Sequence, residues 1–210
     1  MRRMVKGVLM FAVLVFCTGV GAADVGEVFN SSYAAEAKGK SADALKIIET
    51  AYNAKLDGNL KYVMKMRMAY LETVLNKLDQ AALLYGEASE IMPRAIEPLN
   101  YQSYEYYVLK DWKKVQEVCC KALNVDPKHY YSRSRLAYAC LCLGDYAGSL
   151  REYSKVMELY PLDMGVKAMT GWVYAYMKDK TKATQIFREV LIVNPINESA
   201  KAGMEYLLKN

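Results

Sequence analysis

A single histidine, His129, is all the imidazole this 210-residue chain carries, and it has no glycine-rich phosphate loop, no G-x-S-x-G and no H-E-x-x-H. One histidine cannot furnish a metal cluster or complete a nucleophile–histidine–acid arrangement, so no catalytic site, no metal and no cofactor is expected. Paired carboxylates such as Glu87 and Glu90 stand at helical spacing, where they are ordinary solvated charges. Prolines number only five and glycines twelve, too few for a disordered chain, while 53% hydrophobic and 24% charged residues suit a packed core. Excess charge is scarce as well. The formal net charge is +5, but Arg2, Arg3 and Lys6 lie in the first six residues, and without them 25 basic residues face 23 acidic ones. That near balance leaves no nucleic-acid footprint.

The basic start is followed by an apolar run from Val8 to Val20 and then by Gly21, Ala22 and Ala23. This is the layout of an export signal over residues 1–23, with cleavage expected before Asp24. The run falls short of the roughly 20 residues that span a bilayer, although an uncleaved anchor remains the alternative. A lipidated Cys17 is a further reading, favoured by Leu14 and disfavoured by bulky Phe16. With the positive end retained inside, residues 24–210 are expected outside the cytoplasm, as a periplasmic, membrane-anchored or secreted protein.

What the chain does have is a period. Pro93, Pro127, Pro161 and Pro195 follow one another at intervals of 34 residues. Windows with proline at position 32 run 62–95, 96–129, 130–163 and 164–197, and they align without a gap. Position 8 is Ala69, Ser103, Ala137 and Gly171; position 20 is Ala81, Val115, Ser149 and Ala183; position 27 is Ala88, Ala122, Val156 and Val190. Larger side chains hold position 24, as Tyr85, Cys119, Tyr153 and Phe187. Turn-compatible pairs, Asn76-Lys77, Lys110-Asp111, Gly144-Asp145 and Asp179-Lys180, divide each window into two helices. A weaker copy over 25–58 places Ser32, Ala44, Ile48 and Ala51 at positions 8, 20, 24 and 27, with Gly39 in the turn and a longer loop expected around Asp57-Gly58-Asn59. Residues 198–209 form an amphipathic stretch with Ala202, Met204 and Leu207 or Leu208 available to cap the last window.

Small residues at 8, 20 and 27, a large one at 24 and proline at 32 resemble the tetratricopeptide repeat, a 34-residue helix–turn–helix unit. The resemblance implies an all-α, right-handed solenoid of about five repeats with a C-terminal capping helix. Position 4, aromatic in the family, is Lys65, Leu99, Arg133 and Lys167 here, and the family's Leu-Gly pair is nowhere intact, so the fine packing is expected to differ.

In such solenoids the first helix of each unit lines a concave surface, notably through positions 2, 5, 9, 12 and 13. The resemblance therefore nominates Tyr33, Tyr70, Tyr104, Tyr138 and Trp172 at position 9, Tyr107 and Tyr176 at positions 12 and 13, and Tyr131 at position 2 as partner-binding residues. Phe29 and Met66 add apolar surface at position 5. Rigid aromatics with a polar edge suit a peptide groove, although the same rings could instead pack on one another. Family members that grip a terminal carboxylate use lysine at position 5 and asparagine at position 9, and that clamp is absent. A protein or peptide partner held by apolar and tyrosine contacts is the expectation; a small apolar ligand and self-assembly into a homo-oligomer are the alternatives. Cys119 and Cys140 fall on faces expected to meet, which leaves buried thiols and a disulfide between the third and fourth units both open.

Overall fold

The computed structural model describes the backbone of residues 22–209 and the side chains of residues 25–209. The expected export signal therefore lies outside the described residues, apart from the backbone of Ala22 and Ala23, which begins the first helix. Among the described residues there are eleven helices and no strand: α1 Ala22–Ala37, α2 Ser41–Ala51, α3 Gly58–Val74, α4 Leu78–Ile91, α5 Glu97–Val108, α6 Trp112–Val125, α7 Tyr130–Cys142, α8 Tyr146–Leu159, α9 Met164–Tyr176, α10 Lys180–Val193 and α11 Glu198–Lys209. No described helix is long and apolar enough to cross a membrane. Consecutive helices pack as five hairpins, each on the next, and α11 lies against α9 and α10.

The prolines act as the period requires. Met92, Asp126, Tyr160 and Asn194 close α4, α6, α8 and α10, and each precedes a proline whose ring disfavours the helical conformation there. At the other end of each hairpin a single residue reverses the chain with positive φ: Gly39, Asn76, Lys110, Gly144 and Lys178, all at position 15. In the last unit the reversing residue is thus Lys178, one step before the expected Asp179-Lys180 pair. Asp179 instead caps α10 by accepting from the Lys182 N–H at 3.1 Å, as Asp111 and Asp145 cap α6 and α8. The loop expected around Asp57-Gly58-Asn59 also lies earlier, over residues 52–57, because Asp57 accepts from the Leu60 N–H and starts α3 at Gly58.

Every signature position is in the core. Positions 8, 20, 24 and 27 are buried in all five units, with Phe187 at 0% and Tyr153 at 2% exposure. A buried ring of this size stabilises the fold by about 1.5–3 kcal/mol. Gly171 at position 8 and Gly203 of α11 both stand against Phe187, which seats the capping helix. That contact sets the rotation of α11: Ala200 and Gly203 are buried and Met204 and Leu207 pack on the cluster, while Ala202 and Leu208 are exposed rather than covering it.

The unusual position 4 also has a structural account. Lys65 reaches Glu87 at 2.5 Å and Lys167 reaches Glu189 at 2.8 Å, both bridging position 4 of one helix to position 26 of its partner. Arg133 pairs with Glu152 at 2.5 Å, and Glu152 also receives Arg151 and Lys155. In these three units ionic ties within the hairpin stand where the family packs a ring, whereas Leu99 at the same position is buried in the core.

Candidate functional site

The first helices α1, α3, α5, α7 and α9 place their position-9 side chains one residue, roughly 100° around the helix, beyond the buried position 8, so these rings cannot all enter the same core. Tyr33, Tyr70 and Tyr104 are exposed by 55%, 45% and 46%, and Tyr131 and Tyr176 are similarly open. The remaining three nominated residues are half-buried. Tyr107 and Tyr138 meet each other at 5.4 Å between centroids and both pack on Trp112. Trp172 donates from Nε1 to Ser199 Oγ at 3.0 Å and contacts Phe187, Tyr176 and Tyr206, which makes it a strut between α9 and the capping helix as well as a surface ring. The nominated residues thus form not one continuous ladder but three groups.

At the amino-terminal end a hollow of about 460 Å³ is lined by Tyr33, Tyr70, Phe29, Met66, Arg67 and Tyr101 among others. At the carboxy-terminal end a second hollow of about 450 Å³ is lined by Tyr138, Trp172, Tyr176, Leu141, Cys142 and Met169 among others. Between them Tyr104 and Tyr131 flank the Arg135 guanidinium at 5.3 and 5.6 Å from its centre to the ring centroids.

The arginines were not legible as site residues. Arg67 and Arg135 both occupy position 6, outside the surface positions the family resemblance supplies. Arg67 lies 3.9 Å above the Tyr33 ring and 5.5 Å from that of Tyr70, and it pairs with Glu36 at 2.7 Å. Stacking of this kind holds a ring in one orientation and is worth about 0.5–1 kcal/mol at an exposed site. The recurrence of arginine at one position in alternate units was the available signal.

The phenols are hydrogen-bond donors rather than reactive groups. Burial raises the Tyr138 hydroxyl above its ordinary pKa and pushes Tyr85, which stacks on Tyr101 at 5.2 Å, up to about 12. A hydrogen bond to Glu36, and then that carboxylate's charge, raises Tyr70. All three therefore stay protonated at neutral pH, with the Tyr70 O–H already given to Glu36 and Tyr85 buried. No group of three or more metal-ligating side chains is assembled among the described residues. Cys119, Cys120, Cys140 and Cys142 are free; Cys119 and Cys140, the pair considered for a disulfide, are buried in one apolar cluster as thiols. Burial pushes Cys119 up to about 12 and raises Cys140.

The fold is that of tetratricopeptide-repeat proteins. A tetratricopeptide repeat protein from Parabacteroides merdae ATCC 43184 superposes with a TM-score of 0.79 at 17% identity, over 88% of this chain and 72% of that one. YrrB, described as a TPR protein with an unusual peptide-binding site, gives a TM-score of 0.70 at 14% identity over 85% of this chain and 90% of its own. MamA from Desulfovibrio magneticus RS-1 gives 0.70 at 15% identity, over 85% of this chain and 99% of its own. In sequence, the chain is 28% identical over 120 residues to anaphase-promoting complex subunit 3 of Schizosaccharomyces pombe. That match takes in 57% of this chain, which spans 18% of the length of that relative. No protein-family model matches.

Proposed function

We propose that this chain is a non-catalytic scaffold that works outside the cytoplasm and holds a segment of a partner protein along the exposed face of its first helices, supporting assembly of an envelope, secretion or transport complex. The observation that carries the reading is the pair of aromatic-lined hollows of about 460 and 450 Å³ at the two ends of that face, joined by Tyr104, Arg135 and Tyr131. Exposed rings whose orientation is held by stacked guanidinium groups lose little freedom on binding, which is what makes aromatics dominant in interfaces. A peptide-binding neighbour of the same fold, YrrB, is in keeping with such use. Export rests on the basic start at Arg2, Arg3 and Lys6 and the apolar run behind it.

The test is a cross-linked capture from envelope extract with the wild-type chain beside a Tyr33→Ala, Tyr70→Ala, Tyr104→Ala variant, with helicity checked by circular dichroism. These three are exposed, so their removal spares the core. A protein retained by the wild type and lost by the folded variant supports the scaffold; equal capture by both would place the binding surface elsewhere.

A further inference from the structure

Arg67 and Arg135 are an internal comparison. Both stand at position 6 of a first helix, both are bracketed by two tyrosine rings, and both hydrogen-bond to the preceding unit. Arg67 spends its charge inside the protein, on Glu36 at 2.7 Å. Arg135 has only neutral partners: its Nη1 donates to the Asn100 carbonyl at 3.0 Å, Asn100 Oδ1 at 2.7 Å and Ser103 Oγ at 3.0 Å. Among the described residues no carboxylate pairs with it, and position 12 of the preceding unit, which supplies Glu36 to Arg67, is Tyr107. Among the described residues its Nε and Nη2 have no acceptor and neither is a fully buried unpartnered atom, so that edge keeps some contact with solvent although the side chain is half-buried, which lowers the arginine's pKa. An Nε–Nη2 edge presents two parallel N–H bonds, the geometry that takes a carboxylate in a bidentate fashion.

We propose that Arg135 anchors an aspartate or glutamate side chain of the bound partner segment, so that the face selects an acidic residue flanked by apolar or aromatic ones. The inference rests on the scaffold reading above. The carboxylate lies against the open Nε–Nη2 edge between the Tyr104 and Tyr131 rings, and Asn100 and Ser103 fix the other side of the guanidinium. This differs from a lysine–asparagine clamp for a chain terminus, because the charge comes from position 6 and a side-chain carboxylate in mid-segment satisfies it.

The neighbourhood supplies a reporter. His129, the chain's single histidine, contacts the Tyr131 ring at 6.0 Å between centroids. Burial lowers its pKa, Asp126 raises it and Arg135 lowers it further. A carboxylate on Arg135 cancels part of that last effect and raises the His129 pKa.

The experiment selects phage-displayed random dodecapeptides, whose carboxyl termini are not free, on wild-type protein, Asn100→Asp, Arg135→Gln and the control Arg94→Gln, an exposed arginine away from the face. Asn100→Asp is isosteric and gives Arg135 an internal carboxylate, so it removes the free charge while sparing the fold. Wild type and Arg94→Gln are expected to enrich an acidic residue beside apolar ones, and Asn100→Asp and Arg135→Gln to lose the acid alone. A synthetic, end-blocked winning peptide should weaken about tenfold or more on Glu→Gln replacement, and should raise the His129 pKa measured by NMR in wild type but not in Asn100→Asp. Enrichment of neutral peptides, or acid preference that survives Asn100→Asp, overturns the inference and leaves the scaffold intact. Displacement of the peptide by inorganic phosphate at concentrations where acetate has no effect reassigns the site to a phosphorylated ligand and also overturns it. Failure of wild type to enrich any peptide overturns the scaffold reading itself.

Discussion

Gly171 and Phe187 meet with no room for a methyl group between them: a Cβ on Gly171 would lie 2.6 Å from Phe187 Cε1. Gly203 approaches the same ring from α11, where a Cβ would fall 2.2 Å from Cζ. The ring is fully buried and cannot swing aside. Gly171→Ala is therefore expected to destabilise the protein by about 1–3 kcal/mol through overpacking. Combining it with Phe187→Leu, which shortens the obstacle, should cost less than the two changes summed, a coupling that urea denaturation of the four proteins measures directly.

The five hairpin turns make a second prediction, because three of them put a residue with a side chain where two have glycine. Asn76, Lys110 and Lys178 have φ of 59°, 59° and 65°, whereas Gly39 and Gly144 have 72° and 81°. Left-handed backbone strains residues with a Cβ, lysine more than asparagine. Lys110→Gly and Lys178→Gly should each raise the unfolding free energy by up to about 1 kcal/mol, and Gly144→Ala should lower it by a similar amount. Thermal unfolding of the three variants decides; a loss of stability on Lys178→Gly would contradict the turn assignment.

Much of this architecture was legible along the chain because the repeat writes its core in residue size. Ala69, Ala81 and Ala88 are buried at the positions where a small side chain was required, with Tyr85 filling the gap between helices, and the same holds in the other units. The misplaced details came from local chemistry that overrides the period. Asp179 and Asp57 serve as helix caps rather than turn residues, which moves the last reversal by one residue and the earlier loop by a few. The site was legible only in part. Position 9 named the exposed tyrosines, but Trp112 of α6 and Ser199 of α11 draw Tyr107, Tyr138 and Trp172 half inward, and contacts from second helices and from the capping helix are invisible in a reading of first helices alone. Arg67 and Arg135 were missed because the value of a guanidinium at position 6 depends on which rings of two different units flank it.

The four described cysteines divide by exposure. Cys120 and Cys142 are exposed, and Cys119 and Cys140 are buried. Since the thiolate is the reacting species, burial that pushes Cys119 up to about 12 protects it twice over, by access and by ionisation. Native protein comprising residues 24–210, which leaves out Cys17, should when kept free of reductant show two fast-reacting thiols and, once denatured, four. A denatured count of two would mean that a disulfide forms in place of the free pair.

Glu105 supplies the pH prediction. It is 2% exposed; Thr73 Oγ1 donates to its Oε1 at 2.8 Å, and its Oε2 has no partner. Burial raises its carboxyl pKa by more than the Thr73 bond lowers it. A carboxyl whose folded pKa lies above its unfolded value stabilises the fold below the unfolded pKa, and that contribution is lost as pH rises through the folded pKa. Glu105→Gln cannot ionise, so its stability relative to wild type should increase as pH is raised from about 4 toward neutrality. Denaturation midpoints taken across that range would show the trend, and a difference constant with pH would refute it.

A partner lying on the first-helix face would be captured there by photo-cross-linking in cells. A photoreactive residue replaces Tyr104 on α5 in one protein and Lys121 on the exposed side of α6 in another. A discrete adduct, of one mass, is expected from position 104 and none from position 121. An adduct from position 121 with none from position 104 would contradict that placement and move the binding surface to the second helices.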